Sequence, residues 1–336
     1  MKIYVGIDLH KVTSTWVGLK EKGDEVLFTK EFLVTPIGIA TGIKFVKEYG
    51  NEIVLVLEPC CGWRWVTKQL KETGIDVHIS NPRKTKMISE SLQKTDKKDA
   101  TTLAILLRSG MLYESYEAPP EIHTLRSLLR ERSFLVRIRA SVKCRLEGVI
   151  TREGRHLIAG RSSSKKATTS ILASSNTEWN MHTTVISELT KNISILEKEI
   201  QDNVKDIPTV RLLKTMPGVG SLTALNVYAE VGDFKRFDSP HKLIAYAGLV
   251  PSERSSGGTR KLGHISKAGS KQLRYIIVEA AMHVRGKDKG THLYDFYANL
   301  KKTRGALRAR VALARKMLTI MWYMVKDNKP YEQRIS

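Results

Sequence analysis

Ile3-Tyr-Val-Gly-Ile-Asp8 is a short apolar run, rich in β-branched residues, that ends in a carboxylate. Such a run predicts a buried β-strand. Two more strands are predicted over Ser14–Leu19 and Glu25–Leu33, so the chain begins with an antiparallel meander of three strands. A helix follows, with Thr35 as its N-cap and Pro36 in its first turn.

Strands and helices alternate after the meander. The predicted elements are, in order, a strand at Ile53–Leu57, a helix at Gly62–Thr73, a strand at Ile75–Ile79, a basic loop at Arg83–Lys86 and a helix from near Asp96 to near Gly110. This order is that of an RNase H-like sheet, although other α/β folds also alternate strands with helices. Order alone does not decide between these folds, so the fold class we predict here is an α/β N-terminal domain, with an RNase H-like sheet as the leading candidate.

Helices are predicted for most of the remaining chain. Amphipathic helices over Pro120–Arg152 and Trp179–Val204 could pair as an antiparallel coiled coil, within one chain or across a dimer. Gly160–Ser175, rich in Ser, Lys and Thr, is typical of a linker. Later helices are predicted at 222–231, up to Ala247, through Val284 and, as a basic final helix, from Arg304 to Val325. We predict an α/β domain at 1–115, a helical coiled-coil connector at 116–205 and a mostly α C-terminal domain at 206–330.

The charge of the chain indicates its partner. Lys and Arg outnumber Asp and Glu by 56 to 34, and the formal net charge is +22. This excess favours a polyanion, most simply nucleic acid. No apolar run is long enough to cross a bilayer, and the start of the chain is not a signal peptide. Three cysteines, Cys60, Cys61 and Cys144, form neither a disulfide framework nor a zinc spacing, so we expect reduced thiols, a cytoplasmic location and no membrane partner.

Four carboxylates are predicted to meet. The first and fourth strands of an RNase H-like sheet are neighbours, which brings Asp8 and Glu58 together. In Lys94-Thr-Asp96-Lys-Lys-Asp99, two carboxylates share one helix face. Such a cluster cannot stay ionised without cations, and Mg²⁺ (or Mn²⁺) suits oxygen ligands beside a phosphate substrate. Asp8, Glu58, Asp96 and Asp99 together therefore predict a metal site.

Each carboxylate taken alone also has a purely structural explanation. Asp96 could cap its helix with Asp99 as the capping partner. Glu58 could pair with Arg64, and Asp8 could cap a loop.

Two later motifs could touch nucleic acid. Met216-Pro-Gly-Val-Gly220 has the form of a helix-hairpin-helix, whose glycines free backbone N–H groups for a phosphate; the alternative is a tight turn that touches only protein. Ser255-Ser256-Gly257-Gly258 lies in a basic, flexible segment, where a serine could attack a phosphodiester or simply belong to a loop. Arginines of the final helix could follow a nucleic-acid backbone or form a solvated face. The nucleic-acid-binding residues we predict are Lys94, Lys97, Lys98, Gly218, Gly220, Arg254, Arg260, Lys261, Lys267, Lys271, Arg274 and Arg308.

The ordered motifs resemble a known family. Gly6-Ile-Asp8-Leu-His10-Lys, Glu58-Pro-Cys-Cys-Gly62 and Lys94-Thr-Asp96-Lys-Lys-Asp99-Ala are similar to the DEDD transposases of the IS110 insertion-sequence family, which resemble the Piv and MooV site-specific invertases. The later motifs that resemble that family's C-terminal transposase domain are Met216-Pro-Gly-Val-Gly, Ala247-Gly-Leu-Val-Pro251, Ser255-Ser-Gly-Gly258 and Gly263-His-Ile-Ser-Lys267.

The resemblance implies a RuvC-like catalytic domain at 1–115 and a mechanism. Asp8, Glu58, Asp96 and Asp99 would bind Mg²⁺, and Ser256, with Ser255 as the alternative, would join covalently to a DNA phosphate. Family members act as dimers that assemble into tetramers, with the metal cluster and the serine from different subunits. A structured non-coding bridge RNA pairs with donor and target DNA, so the protein needs basic surface rather than base-reading helices. A prokaryotic, nucleoid-associated enzyme is implied.

Three rival functions share parts of this pattern. A metal-dependent nuclease or junction resolvase has the carboxylates but hydrolyses DNA without a covalent intermediate. An actin-like sugar kinase or ATPase also opens with a Gly-Ile-Asp strand, but its late Asp-Gly phosphate loop is missing from this sequence. A non-catalytic nucleic-acid-binding protein would tolerate Asp8→Asn.

Overall fold

The computed structural model describes residues 1–23, 25–88, 95–154, 176–204, 206–256, 259–284 and 290–332. The chain divides into two compact units, Met1–Glu117 and Ala118–Ser336. Leu125 and Ile200, from the predicted connector, are buried in the same apolar core as the later helices. The three-part division stays a prediction. Lys94 and the linker-like segment at 160–175 lie outside the described residues.

The first unit contains a five-stranded mixed sheet in the order β3-β2-β1-β4-β5. Its strands are β1 Lys2–Leu9, β2 Thr13–Lys20, β3 Val26–Leu33, β4 Glu52–Leu57 and β5 Asp76–Ile79. The first three strands are antiparallel neighbours, and β4 runs parallel to β1 and to β5. This arrangement confirms the mixed α/β class, is consistent with an RNase H-like sheet, and places the first and fourth strands side by side.

Four helices accompany the sheet: α1 Pro36–Lys47, α2 Trp63–Lys71, α3 Pro82–Ile88 and α4 Asp96–Arg108. Thr35 caps α1 as predicted, because its hydroxyl accepts the Gly38 N–H at 3.0 Å. The predicted basic loop at 83–86 is wrong, since these residues belong to α3. Asn81 accepts the Lys84 N–H at 3.4 Å and precedes Pro82, an arrangement that starts a helix rather than a loop.

Alternate residues of β1 face opposite sides of the sheet. Ile3, Val5 and Ile7 are fully buried in the core that also contains residues of α1 and α2. Gly6 faces α4: a β-carbon on Gly6 would lie 2.0 Å from the Ala100 carbonyl oxygen. The helix therefore packs directly on the backbone of β1, on the same face of the sheet as Asp8.

The second unit is mostly helical, as predicted. Its helices are α5 Pro120–Arg152, α6 Thr177–Asn203, α7 Pro208–Lys214, α8 Ser221–Val231, α9 Pro240–Tyr246, α10 Lys271–His283, α11 His292–Arg304 and α12 Ala306–Asp327. The final helix starts later than predicted, because Gly305 has a φ of 78° and separates α12 from α11. No helix in the described part of the chain is long and apolar enough to cross a membrane.

Helices α5 and α6 pack antiparallel within one chain. Arg132 forms an ion pair with Glu197 at 2.6 Å, and Arg139 donates to Thr190 at 3.2 Å. Near the end of α5 and the start of α6, Trp179 is buried in a small apolar cluster with residues of α5, including Ile150. Pairing within the chain is thus observed, whereas supercoiling stays a prediction.

A two-stranded hairpin replaces the loop predicted around the serines. Strand β6, Pro251–Ser256, pairs with β7, Thr259–Ile265, and Ser256 lies opposite Thr259. Charged and hydroxyl residues dominate both strands, so no apolar alternation marks them. Gly257 and Gly258 lie outside the described residues, but a Gly-Gly pair between two runs is a hairpin signal that was available in the sequence.

Candidate active site

Two parallel strands deliver the first two carboxylates to one edge of the sheet. Ile7 of β1 pairs with Leu57 of β4. Asp8 and Glu58 follow these residues directly, so they lie at neighbouring strand ends. The topology thus accounts for their proximity without any special loop.

Helix α4 begins with the other two carboxylates. Thr95 is its N-cap, with the hydroxyl accepting the Lys98 N–H at 3.3 Å. Asp96 is the first residue of the helix, and Asp99 lies one turn later. The alternative in which Asp96 caps the helix is wrong, since Thr95 is the N-cap. The Asp96 carboxylate is therefore not used for capping.

All four predicted carboxylates line one cavity of about 340 Å³. Asp96 is exposed, with 59% of its side chain accessible, whereas the Asp8 side chain is only 14% accessible. The cavity also contains two residues that sequence reasoning did not nominate, His10 and Cys60. The structure therefore brings together the whole predicted cluster and adds a histidine and a thiol.

His10 lies between two of the carboxylates. Its Nε2 is 3.2 Å from Asp8 Oδ2 and 3.4 Å from Asp96 Oδ1. One ligand atom from each of Asp8, His10 and Asp96 lies within 4.8 Å of the others, a spacing that could hold a metal ion. The sequence held a signal for His10: it is two residues beyond Asp8 near the end of a strand, where side chains alternate.

The environment of Asp8 disfavours its charge. Burial raises the pKa of Asp8, His10 opposes this shift, and the carboxylates of Asp96 and Asp99 raise the pKa further. Asp8 Oδ2 is buried and accepts no aligned hydrogen bond from the described residues. Burial also raises the pKa of the Cys60 thiol, with Cys61, Asp8 and Glu58 adding to the shift.

These features fit a divalent cation. Asp8 Oδ2 is buried with only the poorly aligned His10 Nε2 beside it among the described residues, and a buried carboxylate oxygen is usually completed by better donors, by water or by an ion. Three further carboxylates and an imidazole surround it, and oxygen-rich sets with one nitrogen suit Mg²⁺ or Mn²⁺. The cluster therefore fits a divalent metal site.

Comparison with known protein families shows which family this chain resembles in each of its two units. A transposase model of the DEDD type from the IS110 family matches residues 5–155. A second model, for transposases of the IS116/IS110/IS902 family, matches residues 210–298. The chain belongs to the IS110 family of transposases. The predicted resemblance is confirmed, and the chain is an enzyme of DNA transposition and recombination.

Relatives match this transposase along almost its whole length. The transposase for insertion sequence element IS1111A of Coxiella burnetii is 27% identical over 97% of this chain and 90% of its own. The putative transposase y4qE of Sinorhizobium fredii is 25% identical over 94% of this chain and 82% of its own. A pilin gene-inverting protein of Moraxella lacunata is 27% identical over 99% of both chains.

Predicted nucleic-acid contacts near the carboxylates are only partly described. Lys97 and Lys98 are exposed in the first turn of α4, beside the acidic cluster. Contact of these lysines with a phosphate backbone stays a prediction.

The turn between α7 and α8 contains the two glycines of the predicted helix-hairpin-helix. Gly218 has a φ of 77°, and a β-carbon there would lie 2.6 Å from the Ala280 carbonyl oxygen in α10. Packing against α10 thus explains Gly218 without a ligand. Gly220 is exposed and precedes α8 without a side-chain cap. Phosphate binding at this turn stays a prediction.

The hairpin of the transposase has the candidate nucleophile at its tip. Ser256 is the last residue of β6, and Ser255 lies opposite Arg260. The backbone of the hairpin strands is described, but several predicted side chains are not: those of Arg254, Ser255, Ser256, Arg260 and Lys261.

Three predicted basic contacts of the second unit differ in their surroundings. Arg274 donates from Nη1 to the Ala247 carbonyl at 2.9 Å, which gives this arginine a structural role. Lys271 is exposed at the start of α10, and Arg308 is exposed near the start of α12. Nucleic-acid binding by these residues stays a prediction.

Proposed function

We propose that this transposase cuts, exchanges and rejoins DNA strands through a phosphoserine intermediate, using its carboxylate cluster and Ser256. The observation that carries the proposal is the cavity at the sheet edge, lined by Asp8, Glu58, Asp96 and Asp99. Such a cluster, with a buried Asp8 oxygen 3.2 Å from His10 Nε2, suits phosphoryl transfer on a polyanionic substrate.

The four carboxylates would hold Mg²⁺, and Mn²⁺ is the nearest substitute. A bound divalent ion supplies charge neutralisation of the phosphate and stabilises the attacking and leaving oxygens. Asp8 and Glu58 provide fixed oxygens from adjacent strand ends. Asp96 and Asp99 provide oxygens from the first turn of α4, and Lys97 and Lys98 would attract the phosphate backbone.

Ser256 would be the nucleophile, with Ser255 as the alternative. Its Oγ forms a bond to phosphorus, the bond from phosphorus to the leaving sugar oxygen breaks, and that oxygen takes a proton as the Oγ proton departs. The sugar hydroxyl of the incoming strand then attacks the same phosphorus and releases the serine. The number of phosphodiester bonds is conserved, so strands can be rejoined without another energy source.

The proposed partners follow from this chemistry and from the resemblance. Donor and target DNA are the substrates, and a structured non-coding guide RNA would select them by base pairing. A homodimer that assembles into a tetramer would supply metal cluster and serine from different subunits.

A metal-dependent nuclease is the second candidate, because the carboxylates alone would suffice for hydrolysis. The similarity to a pilin gene-inverting protein favours recombination, since inverting a DNA segment requires that the cut strands be joined again.

An adduct assay separates the two. Purified protein, its element's DNA, candidate RNA and Mg²⁺ are incubated and resolved on a denaturing gel, beside Asp8→Asn, Ser256→Ala and Ser255→Ala, which removes the alternative nucleophile. We expect a protein–DNA adduct with wild type and Ser255→Ala, and none with the other two. Free cleaved ends without an adduct, in wild type and Ser256→Ala alike, would establish the nuclease instead.

A further inference from the structure

A second cavity, of about 380 Å³, lies within the second unit between the end of β7 and helices α11 and α12. We call it the basic pocket and define it by five lining side chains: His264, Lys267, Arg304, Arg308 and Arg315. No acidic side chain is among the described residues that line it, and the remaining walls are aliphatic or glycine. A cluster of basic side chains with no acidic side chain among its described lining residues indicates an anionic ligand.

The arginines of the basic pocket are arranged so that they could bind a ligand together. Arg308 and Arg315 are seven residues apart on α12 and therefore share one helix face. Arg315 is partly buried, and its Nε–H is buried and donates to no acceptor among the described residues. Arg304, at the end of α11, is exposed beside them. Burying an unsatisfied guanidinium nitrogen is costly unless a ligand completes it.

The start of α12 adds a favourable dipole. This helix has 22 residues, and its N-cap is Gly305, which offers no side-chain hydrogen bond to the first N–H groups. Leu307, Arg308 and Ala309, in its first turn, line the pocket. Uncapped N–H groups and the positive end of a helix dipole favour a bound anion, and the arginines provide the independent indication of one.

Lys267 reaches the pocket from a strained backbone. Its φ is 52°, in the left-handed region that residues with a β-carbon seldom adopt. The loop is fixed by the Lys267 N–H, which donates to the Gly248 carbonyl at 3.0 Å. It is also fixed by Gly269, where a β-carbon would lie 2.0 Å from the Tyr246 carbonyl oxygen. Strain of this kind, held by surrounding packing, is a common mark of a ligand-binding residue.

We propose that the basic pocket binds one backbone phosphate of the DNA strand on which Ser256 acts, a proposal that rests on the function proposed above. The pocket and the candidate nucleophile are at opposite ends of one hairpin. From Thr259, opposite Ser256, to His264 is five residues of β7, a reach of about 17 Å. A duplex strand has one phosphate per 3.4 Å of axis, so the pocket lies about five phosphates from the serine.

The ligand is a phosphate rather than a base. No Phe, Tyr or Trp side chain is among the described lining residues, so the pocket lacks a large aromatic platform on which a base could stack. Leu300, Leu307 and Val311 offer apolar contact to a sugar, and the guanidinium groups can grip phosphate oxygens in pairs. Binding of this kind positions a strand without reading its sequence.

Salt-dependent DNA binding tests the basic pocket. Full-length Arg304→Gln, Arg308→Gln and the matched control Lys302→Gln, which alters an exposed cation of α11 outside the pocket, are titrated against labelled duplex DNA of the element's end. We expect each pocket variant to bind about three- to tenfold more weakly near 0.1 M salt, with a salt slope smaller by about one. Lys302→Gln should match wild type. If all three variants weakened DNA binding equally, the cations of α11 and α12 would act only as a general basic surface, and the proposal would be overturned.

Two further readings separate the alternatives. Weakened binding of the guide RNA with unchanged binding of DNA would make the pocket an RNA site and would also overturn the proposal. Ethylation interference should show a required phosphate about five positions from the cut, lost in Arg308→Gln.

Failure of the proposed function gives a different result. Pocket variants should still form the covalent adduct at saturating DNA, whereas Ser256→Ala should bind DNA normally and form none. A wild-type protein that forms no adduct refutes the serine mechanism, and the contrast between Arg308→Gln and Lys302→Gln still decides whether the pocket holds DNA.

Discussion

Asp8 has one buried carboxylate oxygen and three ionisable neighbours, His10, Asp96 and Asp99. Its pKa is raised chiefly by burial, so the folded chain binds a proton at Asp8 more tightly than the unfolded chain does. The contribution of Asp8 to stability is therefore full below its unfolded pKa and is lost as the pH rises through its folded pKa. At neutral pH and without a bound cation, the ionised Asp8 carboxylate therefore lowers the stability of the folded chain.

Asp8→Asn should therefore raise the Tm of the metal-free protein at neutral pH, and the advantage should vanish in acid below the ordinary pKa of aspartate. Added Mg²⁺ should raise the Tm of wild type but not of the variant, because ligand binding stabilises only the form that binds. Thermal unfolding with EDTA and with Mg²⁺, over a range of pH, measures both effects. If metal-free Asp8→Asn had a lower Tm at neutral pH than metal-free wild type, this account of Asp8 would be contradicted.

The sequence predicted the four carboxylates of the candidate site but not the two other polar residues beside them, His10 and Cys60. Asp8 and Glu58 follow strands, and Asp96 and Asp99 share a helix turn, so spacing and strand order sufficed. His10 was missed because its contact with Asp96 depends on how α4 lies across the sheet. Strand alternation alone could relate His10 only to Asp8.

Helix α4 positions half of the candidate site by its approach to β1. Gly6 permits that approach, since any β-carbon there would collide with the Ala100 backbone. Backbone atoms cannot yield as the end of a flexible side chain can, so the helix itself must move.

Gly6→Ala should destabilise the protein by about 1–3 kcal/mol, the usual cost of overpacking. It should also abolish stabilisation by Mg²⁺, because a displaced α4 moves Asp96 and Asp99 away from Asp8. Gly148→Ala is the matched control, since a β-carbon on this exposed α5 glycine meets nothing within 4 Å. Urea unfolding with and without Mg²⁺ should separate the two. Wild-type stability and Mg²⁺ response in Gly6→Ala would refute the close-packing argument.

Elements with an apolar period were predicted well, and elements without one were not. Strands β1 to β5 and helix α5 follow clear patterns of buried residues. The sequences of β6 and β7 are mostly polar, and α3 begins at Asn81-Pro82, a pair that also starts turns. In such segments the tertiary setting, rather than the local pattern, selects the structure.

A buried carboxylate, Glu230, joins several helices of the second unit. Glu230, whose side chain is 2% accessible, accepts from Arg130 Nε at 2.7 Å and Nη2 at 2.9 Å, and from the Ser270 hydroxyl at 2.8 Å. Arg126 donates to the Ala229 carbonyl at 2.9 Å, near the end of α8. These bonds attach α5 to α8 and α10, which explains why the predicted connector belongs with the later helices. Sequence spacing could not reveal pairs about a hundred residues apart.

Arg130→Met should cost about 2 kcal/mol of unfolding free energy, since it leaves a buried carboxylate with only Ser270, and the half-exposed arginine moderates the loss. The double variant Arg130→Met/Glu230→Leu should be more stable than the single variant, because both charges are removed together. Urea unfolding of both variants measures the difference. A double variant that is less stable than Arg130→Met would show that the ion pair itself, not the abandoned charge, stabilises the unit.

The whole molecule is proposed to act by a serine and a metal cluster, and the identity of the linked residue tests this most directly. Adduct formed with Mg²⁺, element DNA and RNA is digested with nuclease and protease, and the peptide that retains a nucleotide is sequenced by mass spectrometry. The account predicts a nucleotide on Ser256, or on Ser255 as the stated alternative, and no such peptide from Asp8→Asn. DNA that is cut in the presence of Mg²⁺ while no peptide retains a nucleotide would contradict it.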